Sequence, residues 1–138
     1  MGFNRVNVSA SGKLLQPSRV GDGFFANVLP KIYAAETDQT ITIAELSGGA
    51  ILQGTTLTSD VIYTLSTAAI IAAEWPEMDI GDCFAFYVGN TQVGAFDVVI
   101  AVGVGITAIG ANNTLSAPPQ GGRMMFLIKT AAATFALY

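Results

Sequence analysis

From Cys83 to Tyr138 the chain carries only three charged side chains: Asp97, Arg123 and Lys129. The segment opens its longest apolar run at Val98-Val99-Ile100-Ala101-Val102-Gly103-Val104-Gly105-Ile106-Thr107-Ala108-Ile109-Gly110. After Asn112-Asn113-Thr114 and a Pro-Pro-Gln-Gly-Gly turn come Arg123-Met124-Met125-Phe126-Leu127-Ile128 and a terminal Thr134-Phe135-Ala136-Leu137-Tyr138. Apolar surface is driven out of water at about 25 cal/mol per Å2, so these side chains must be hidden within the chain or against other chains. Over the whole sequence 51% of residues are hydrophobic and 12% charged, against about 25% charged in typical soluble domains. A membrane protein or an oligomer with large interfaces fits that balance.

Length disfavours the membrane reading. A spanning helix needs about 20 consecutive apolar residues. The run from Val98 to Ala111 is shorter and holds Gly103, Gly105 and Gly110, each costing a helix about 1 kcal/mol relative to alanine. Met1-Gly2-Phe3-Asn4-Arg5 leads into alternating polar residues rather than an apolar signal core. No membrane association is expected.

The chain's 138 residues make one domain with an arm. Residues 1–31 hold Arg5, Lys13, Arg19 and Lys31 against the single acid Asp22, a net +3, whereas residues 32–138 hold two bases against nine acids, a net −7. Loop signals cluster in the first part: Ser9-Ala10-Ser11-Gly12, Gln16-Pro17-Ser18 and Gly21-Asp22-Gly23. Residues 1–31 therefore read as an extended N-terminal arm with apolar anchors Phe24, Phe25, Val28 and Leu29, and 32–138 as the body. Four dispersed bases without stacking aromatics make too thin a footprint for nucleic acid.

The body reads as strands. Thr40-Ile41-Thr42-Ile43 alternates with period two. Further strands are expected at Ile32–Ala35, Ala50–Leu52, Val61–Leu65, Cys83–Val88, Ala95–Val102, Ile106–Ile109, Arg123–Lys129 and Ala133–Leu137. Ala44-Glu45-Leu46 is a candidate helical turn closed by Gly48-Gly49. One longer helix is expected over Ala68–Trp75, capped by Ser66 or Thr67 and ended by Pro76. Short strands separated by Gly and Pro turns predict an all-β, small antiparallel β-sandwich or jelly-roll-like domain with that one short helix. Strands apolar on both faces need cover on both sides. This makes Val98, Ile100 and Val102, with Met124, Phe126 and Ile128, candidates for an oligomer interface.

Catalytic chemistry is sparse. The absence of histidine removes Ser-His-Asp and Cys-His catalysis and most zinc sites. Gly103-Val104-Gly105 with Gly110 misses dinucleotide-binding spacing. The acidic run Glu74-Trp75-Pro76-Glu77-Met78-Asp79-Ile80-Gly81-Asp82 permits three readings. These are a paired-carboxylate glycosidase, a calcium site using Glu77, Asp79 and Asp82, or a solvated loop. The loop is favoured because calcium needs more oxygen ligands at set positions. Trp75 beside Pro76 is either a sugar-stacking platform or, more commonly, a core residue at a helix end. The lone Cys83 reads as a small buried apolar residue. No cofactor is expected.

The succession Tyr63-Thr64-Leu65-Ser66-Thr67-Ala68-Ala69-Ile70-Ile71-Ala72-Ala73, then Phe84-Ala85-Phe86, Gly89-Asn90-Thr91, Val102-Gly103-Val104-Gly105-Ile106-Thr107, Arg123–Ile128 and Phe135-Ala136-Leu137-Tyr138 resembles virion structural proteins of tailed bacteriophages. The similar type is the capsid decoration, or cement, protein. The likeness covers residues 60–138. It implies a small non-enzymatic β-sandwich, usually trimeric, on the outer surface of a capsid whose major capsid protein is its partner. On that expectation Arg5, Lys13, Arg19, Phe24, Phe25, Val28 and Leu29 become capsid-contact candidates, since aromatic and Arg side chains dominate interface hot spots. A rival expectation is a head-fibre, tail-fibre or spike module that recognises a host glycan through an exposed Trp75 or Tyr87.

Overall fold

The computed structural model describes residues 30–110 and 115–138. In chain order these form β1 (Lys31–Tyr33), β2 (Gln39–Ile41), α1 (Ile43–Leu46), β3 (Ala50–Gln53), β4 (Val61–Leu65), α2 (Ala68–Glu74) and β5 (Cys83–Asn90). They continue as β6 (Val98–Ala101), β7 (Ile106–Ala108), β8 (Leu115–Ala117), β9 (Gly121–Ala131) and β10 (Thr134–Leu137).

Up to β8 the strands alternate between two sheets. One sheet has the order β1-β3-β5-β9-β10-β7, the other β2-β4-β6-β8. β1, β3 and β5 run parallel, with Ile51 opposite both Lys31 and Val88. β2, β4 and β6 also run parallel, with Tyr63 opposite Gln39 and Ile100. Antiparallel pairing enters with β8 on β6 and with β9 on β5 and β10, while β10 and β7 are again parallel.

The expected all-β antiparallel sandwich is therefore corrected. The fold mixes α and β, with about 10% helix, 46% strand, and parallel as well as antiparallel pairs. The cause lies in the connections. An antiparallel pair can close through a short hairpin, as β9 and β10 do across Ala131–Thr134. The chain leaving β1 instead crosses to the other sheet for β2 and returns for β3, so β1 and β3 point the same way.

Both sheets bury their inner faces in one core. Ile51, Phe86, Val88, Met125 and Leu127 come from the larger sheet, and Ile41, Val61, Tyr63, Leu65, Val98, Ile100 and Leu115 from the smaller. Tyr63 meets Tyr33 edge-on across the layers, ring centroids 4.8 Å apart.

Local chemistry sets the helices. At α1, Thr42 and Glu45 form a reciprocal capping box: the Thr42 hydroxyl accepts from the Glu45 N–H, and the Glu45 carboxylate accepts from the Thr42 N–H. Thr42 and Ile43, expected to continue a strand, are thereby diverted into a cap and a helical turn. Gly49, at φ 80°, reverses the chain into β3. At α2, Thr67 is the N-cap and Ala68 and Ile71 are the buried residues. Trp75 follows at the C-cap, buried with its ring centroid 4.5 Å from that of Phe84. Gly103 is required by close approach, because a Cβ there would lie 2.7 Å from the carbonyl oxygens of Leu65 and Ser66.

Candidate interaction face

Register fixes which side chains leave the core on the six-stranded sheet. Directly opposed residues share a face. The pairs Cys83↔Ile128, Ala85↔Phe126 and Tyr87↔Met124 point outward, while Phe84↔Leu127 and Phe86↔Met125 point inward. Ile32↔Leu52 and Ala50↔Tyr87 extend the outward row toward β1. Ile128↔Ala136 and Ala136↔Thr107 extend it toward β7. Phe126 lies opposite Tyr138 beyond the end of β10.

No side chain at these outward positions carries a charge. Several large apolar side chains stand in solvent there: Met124 at 48%, Phe126 at 42%, Tyr87 at 37%, Tyr138 at 45% and Ile32 at 56% exposure. The inner neighbours Met125 and Leu127 are wholly buried. A sheet with one solvated face ordinarily alternates apolar inward and polar outward.

The bases of this sheet occupy the inward registers instead. Lys31 stands opposite Ile51 and pairs with Glu45 at 2.9 Å. Arg123 stands opposite Val88 at the sheet's end, where it reaches solvent. Lys129 is buried, and its ammonium donates to the Met78 carbonyl at 2.6 Å. Strand β9 thus turns Lys129 inward and Met124 and Phe126 outward, against the cost of burying a cation.

Tyr87 is held on this face by missing side chains. A Cβ at Gly122 would overlap the phenol ring, and one at Gly89 would lie 2.7 Å from Tyr87 Cε1 and 2.8 Å from Leu52 Cδ2. The ring therefore lies across two glycines that stand opposite one another in β5 and β9. Cys83 sits half-buried on the same face, and burial pushes its thiol pKa up. The outer face of the four-stranded sheet, with Thr40, Ile62, Thr64, Val99, Ala101 and Ser116, is also uncharged. There only Ile62 is a large exposed hydrophobe.

Polar groups inside the fold have structural partners. The Tyr63 hydroxyl donates to Gln53 Oε1, and Gln53 Nε2 donates to the Thr55 carbonyl at 3.0 Å. Burial pushes the Tyr63 phenol up to about 12. Burial also acts to raise Glu45, but hydrogen bonds from Thr42, Lys31 and Tyr33 outweigh it and bring the carboxyl down to about 2. Burial, then the Glu45 carboxylate, raise the Tyr33 phenol. Acids also tie loops together. Glu36 Oε1 accepts from the Ser59 N–H at 2.9 Å, Asp38 Oδ1 from the Ile62 N–H at 2.8 Å, and Asp60 Oδ1 from the Asp97 N–H at 2.8 Å.

The interface candidates divide between two environments. Val98 and Ile100 are buried inside the chain's own core, and Val102 is half-buried against it. Met124, Phe126 and Ile128 share the outward row of β9. Ile32 and Tyr138 belong to the same face without a signal in the sequence, because a residue's neighbour across a sheet is set by pairing rather than by spacing. Arg5, Lys13, Arg19, Phe24, Phe25, Val28 and Leu29 lie outside the described residues.

In the acidic run, Asp82 Oδ2 accepts from the Asp79 N–H at 2.9 Å. Among the described residues no three Asp, Glu or Cys side chains converge as a metal site would need. Trp75, buried against Phe84, offers no stacking platform. Among the described residues no helix is long and apolar enough to cross a membrane. No family model, curated protein or solved structure matches this chain.

Proposed function

We propose that this chain is a non-enzymatic virion structural protein: a capsid decoration protein that binds the outer surface of a tailed-phage shell as a homotrimer and stabilises it. The observation that carries this reading is the charge-free outer face of the six-stranded sheet, where Tyr87, Met124, Phe126 and Tyr138 stand exposed. Interfaces are enriched in aromatic residues and Met and depleted of Lys, Glu and Asp. A contiguous exposed apolar patch on a small protein marks an interaction surface. The succession of residues from Tyr63 to Tyr138 that resembles phage decoration proteins supports the placement on a capsid.

The mechanism is mass action. A ligand that binds the assembled shell and not its separated subunits shifts the equilibrium toward the shell. A trimer adds avidity, because three weak contacts to neighbouring capsid subunits engage together. The glycan-binding alternative loses Trp75, whose ring is buried, and retains Tyr87, which is exposed on the apolar face.

The test is sedimentation of the purified protein with emptied phage shells, followed by thermal disruption of the decorated shells. Saturable binding and a raised disruption temperature are expected. Failure to bind any shell of the source phage would sink this reading.

A further inference from the structure

We propose that the outer face of the six-stranded sheet is covered by a second copy of the same chain, with Tyr87, Met124, Phe126 and Tyr138 as anchors and Cys83 inside the contact. This rests on the reading of the protein as a self-assembling component, and it names the partner of the apolar face.

Charge decides the occupant. Every outward side chain on β1, β3, β5, β9, β10 and β7 is uncharged, and Lys31, Arg123 and Lys129 all occupy inward registers of the same sheet. A charged partner surface set on this face would find no counter-charge, and an ion buried without its partner is strongly destabilising. The fitting partner surface is itself free of charge and rich in large apolar groups. The same face on neighbouring copies meets both conditions, each copy's row meeting those of its two neighbours about a three-fold axis, and copies approach one another without like-charge repulsion there. The outer face of the four-stranded sheet fits less well: it is uncharged, but its β-branched and hydroxyl side chains project little. The side-chain hydroxyls on this face include those of Tyr87 and Tyr138, at the tips of side chains that can turn them to a rim, and that of Thr107 on the edge strand β7.

Cys83 makes the contact measurable. It is the chain's single cysteine, it is half-buried, and it stands opposite Ile128 on this face. The experiment follows maleimide labelling of Cys83 across a dilution series of the full chain, with mass read by light scattering on the same samples. If copies cover the face, labelling slows as mass rises, about tenfold where about nine chains in ten are assembled. Phe126→Asp and Met124→Asp, each at an exposed position, should return the mass to one chain and restore fast labelling. Circular dichroism of both variants checks that they remain folded.

A folded monomer at all concentrations with a reactive Cys83 would overturn the proposal and assign the face to the capsid. A monomer with a protected Cys83 would overturn it in favour of cover by the chain's own remaining residues. An oligomer untouched by both substitutions would also overturn it, since another surface would then join the copies. Shell binding measured on the same samples keeps the two readings apart. An oligomer that binds no shell fails the functional proposal alone, whereas a monomer that binds shells fails this one, and the homotrimer with it, and leaves shell decoration standing.

Discussion

Phe126 and Tyr138 exchange two backbone hydrogen bonds, each 3.0 Å, so the last residue of the sequence is stitched onto the middle of the longest strand. The pairing fixes the end of β10 and places the Tyr138 ring beside Phe126 on the outward row. Ending the chain at Leu137 should remove both bonds. A stability loss of about 1–3 kcal/mol is expected from two net hydrogen bonds, read as a lower midpoint in urea. An unchanged midpoint would mean that this pair is frayed in solution.

Gly122→Ala tests how Tyr87 is held. The new methyl would occupy the space of the phenol ring. The ring is half-exposed and can swing away, so folding stability should fall by less than about 1 kcal/mol, as for surface changes. Association should weaken, because an anchor has left its place. Light scattering and a thermal melt on one sample distinguish this from a folding defect, in which the melt would fall first.

Acid should destabilise the junction of β1 and α1. The Glu45 carboxyl has a folded pKa of about 2 against an ordinary 4.5. Between those values the unfolded chain binds more protons, so stability rises with pH there. The contribution is complete above about pH 4.5 and is lost as pH falls toward 2. Melts across that window should flatten in Glu45→Gln relative to wild type, and parallel curves would refute the assignment.

Tyr63→Phe removes the hydroxyl that satisfies buried Gln53. An orphaned buried acceptor costs about 1–3 kcal/mol, so the melting temperature should drop although the ring is retained. Alkali acts on the same group. Its folded pKa of about 12 lies above the ordinary 10, so its contribution is present below pH 10 and lost as pH rises through 12. Absorbance of the tyrosinate band should show late-titrating phenol in the folded protein, absent in urea.

Most elements were legible in the sequence. Thr67 before an alanine-rich run ended by Pro76 gave α2, and the apolar stretches gave β4, β5, β6, β7, β9 and β10 close to their observed bounds. Pairing was not legible. Period two states that a strand exists, and it is silent on whether Ile51 lies beside Lys31 or across a hairpin. β8 was missed because three residues, Leu115–Ala117, sit between Asn112-Asn113-Thr114 and two prolines and look like loop. The candidate face was half legible. Of the interface candidates, Met124, Phe126 and Ile128 lie on the outward row of β9, whereas Val98 and Ile100, offered for the same role because their run lacks polar partners, are buried in the core. The structure alternates them with half-exposed Val99 and Ala101. Lys129 shows the limit most sharply: a lysine among apolar residues reads as the solvent side of its strand, and here it marks the inside.

The crossing of the chain between the sheets bears on how the molecule is assembled from its unfolded state. Pairing β1 with β3 closes a loop that holds β2 and α1, and pairing β3 with β5 closes one that holds β4 and α2. Each sheet is assembled from strands that the chain separates by a strand of the other sheet. Loop-closure entropy is therefore met before most pairing enthalpy is gained, which is the signature of slow folding set by contacts distant in sequence. Both layers should appear and vanish together in a kinetic experiment, and a chain still on its way would present the Met124–Ile128 row before its final partners arrive.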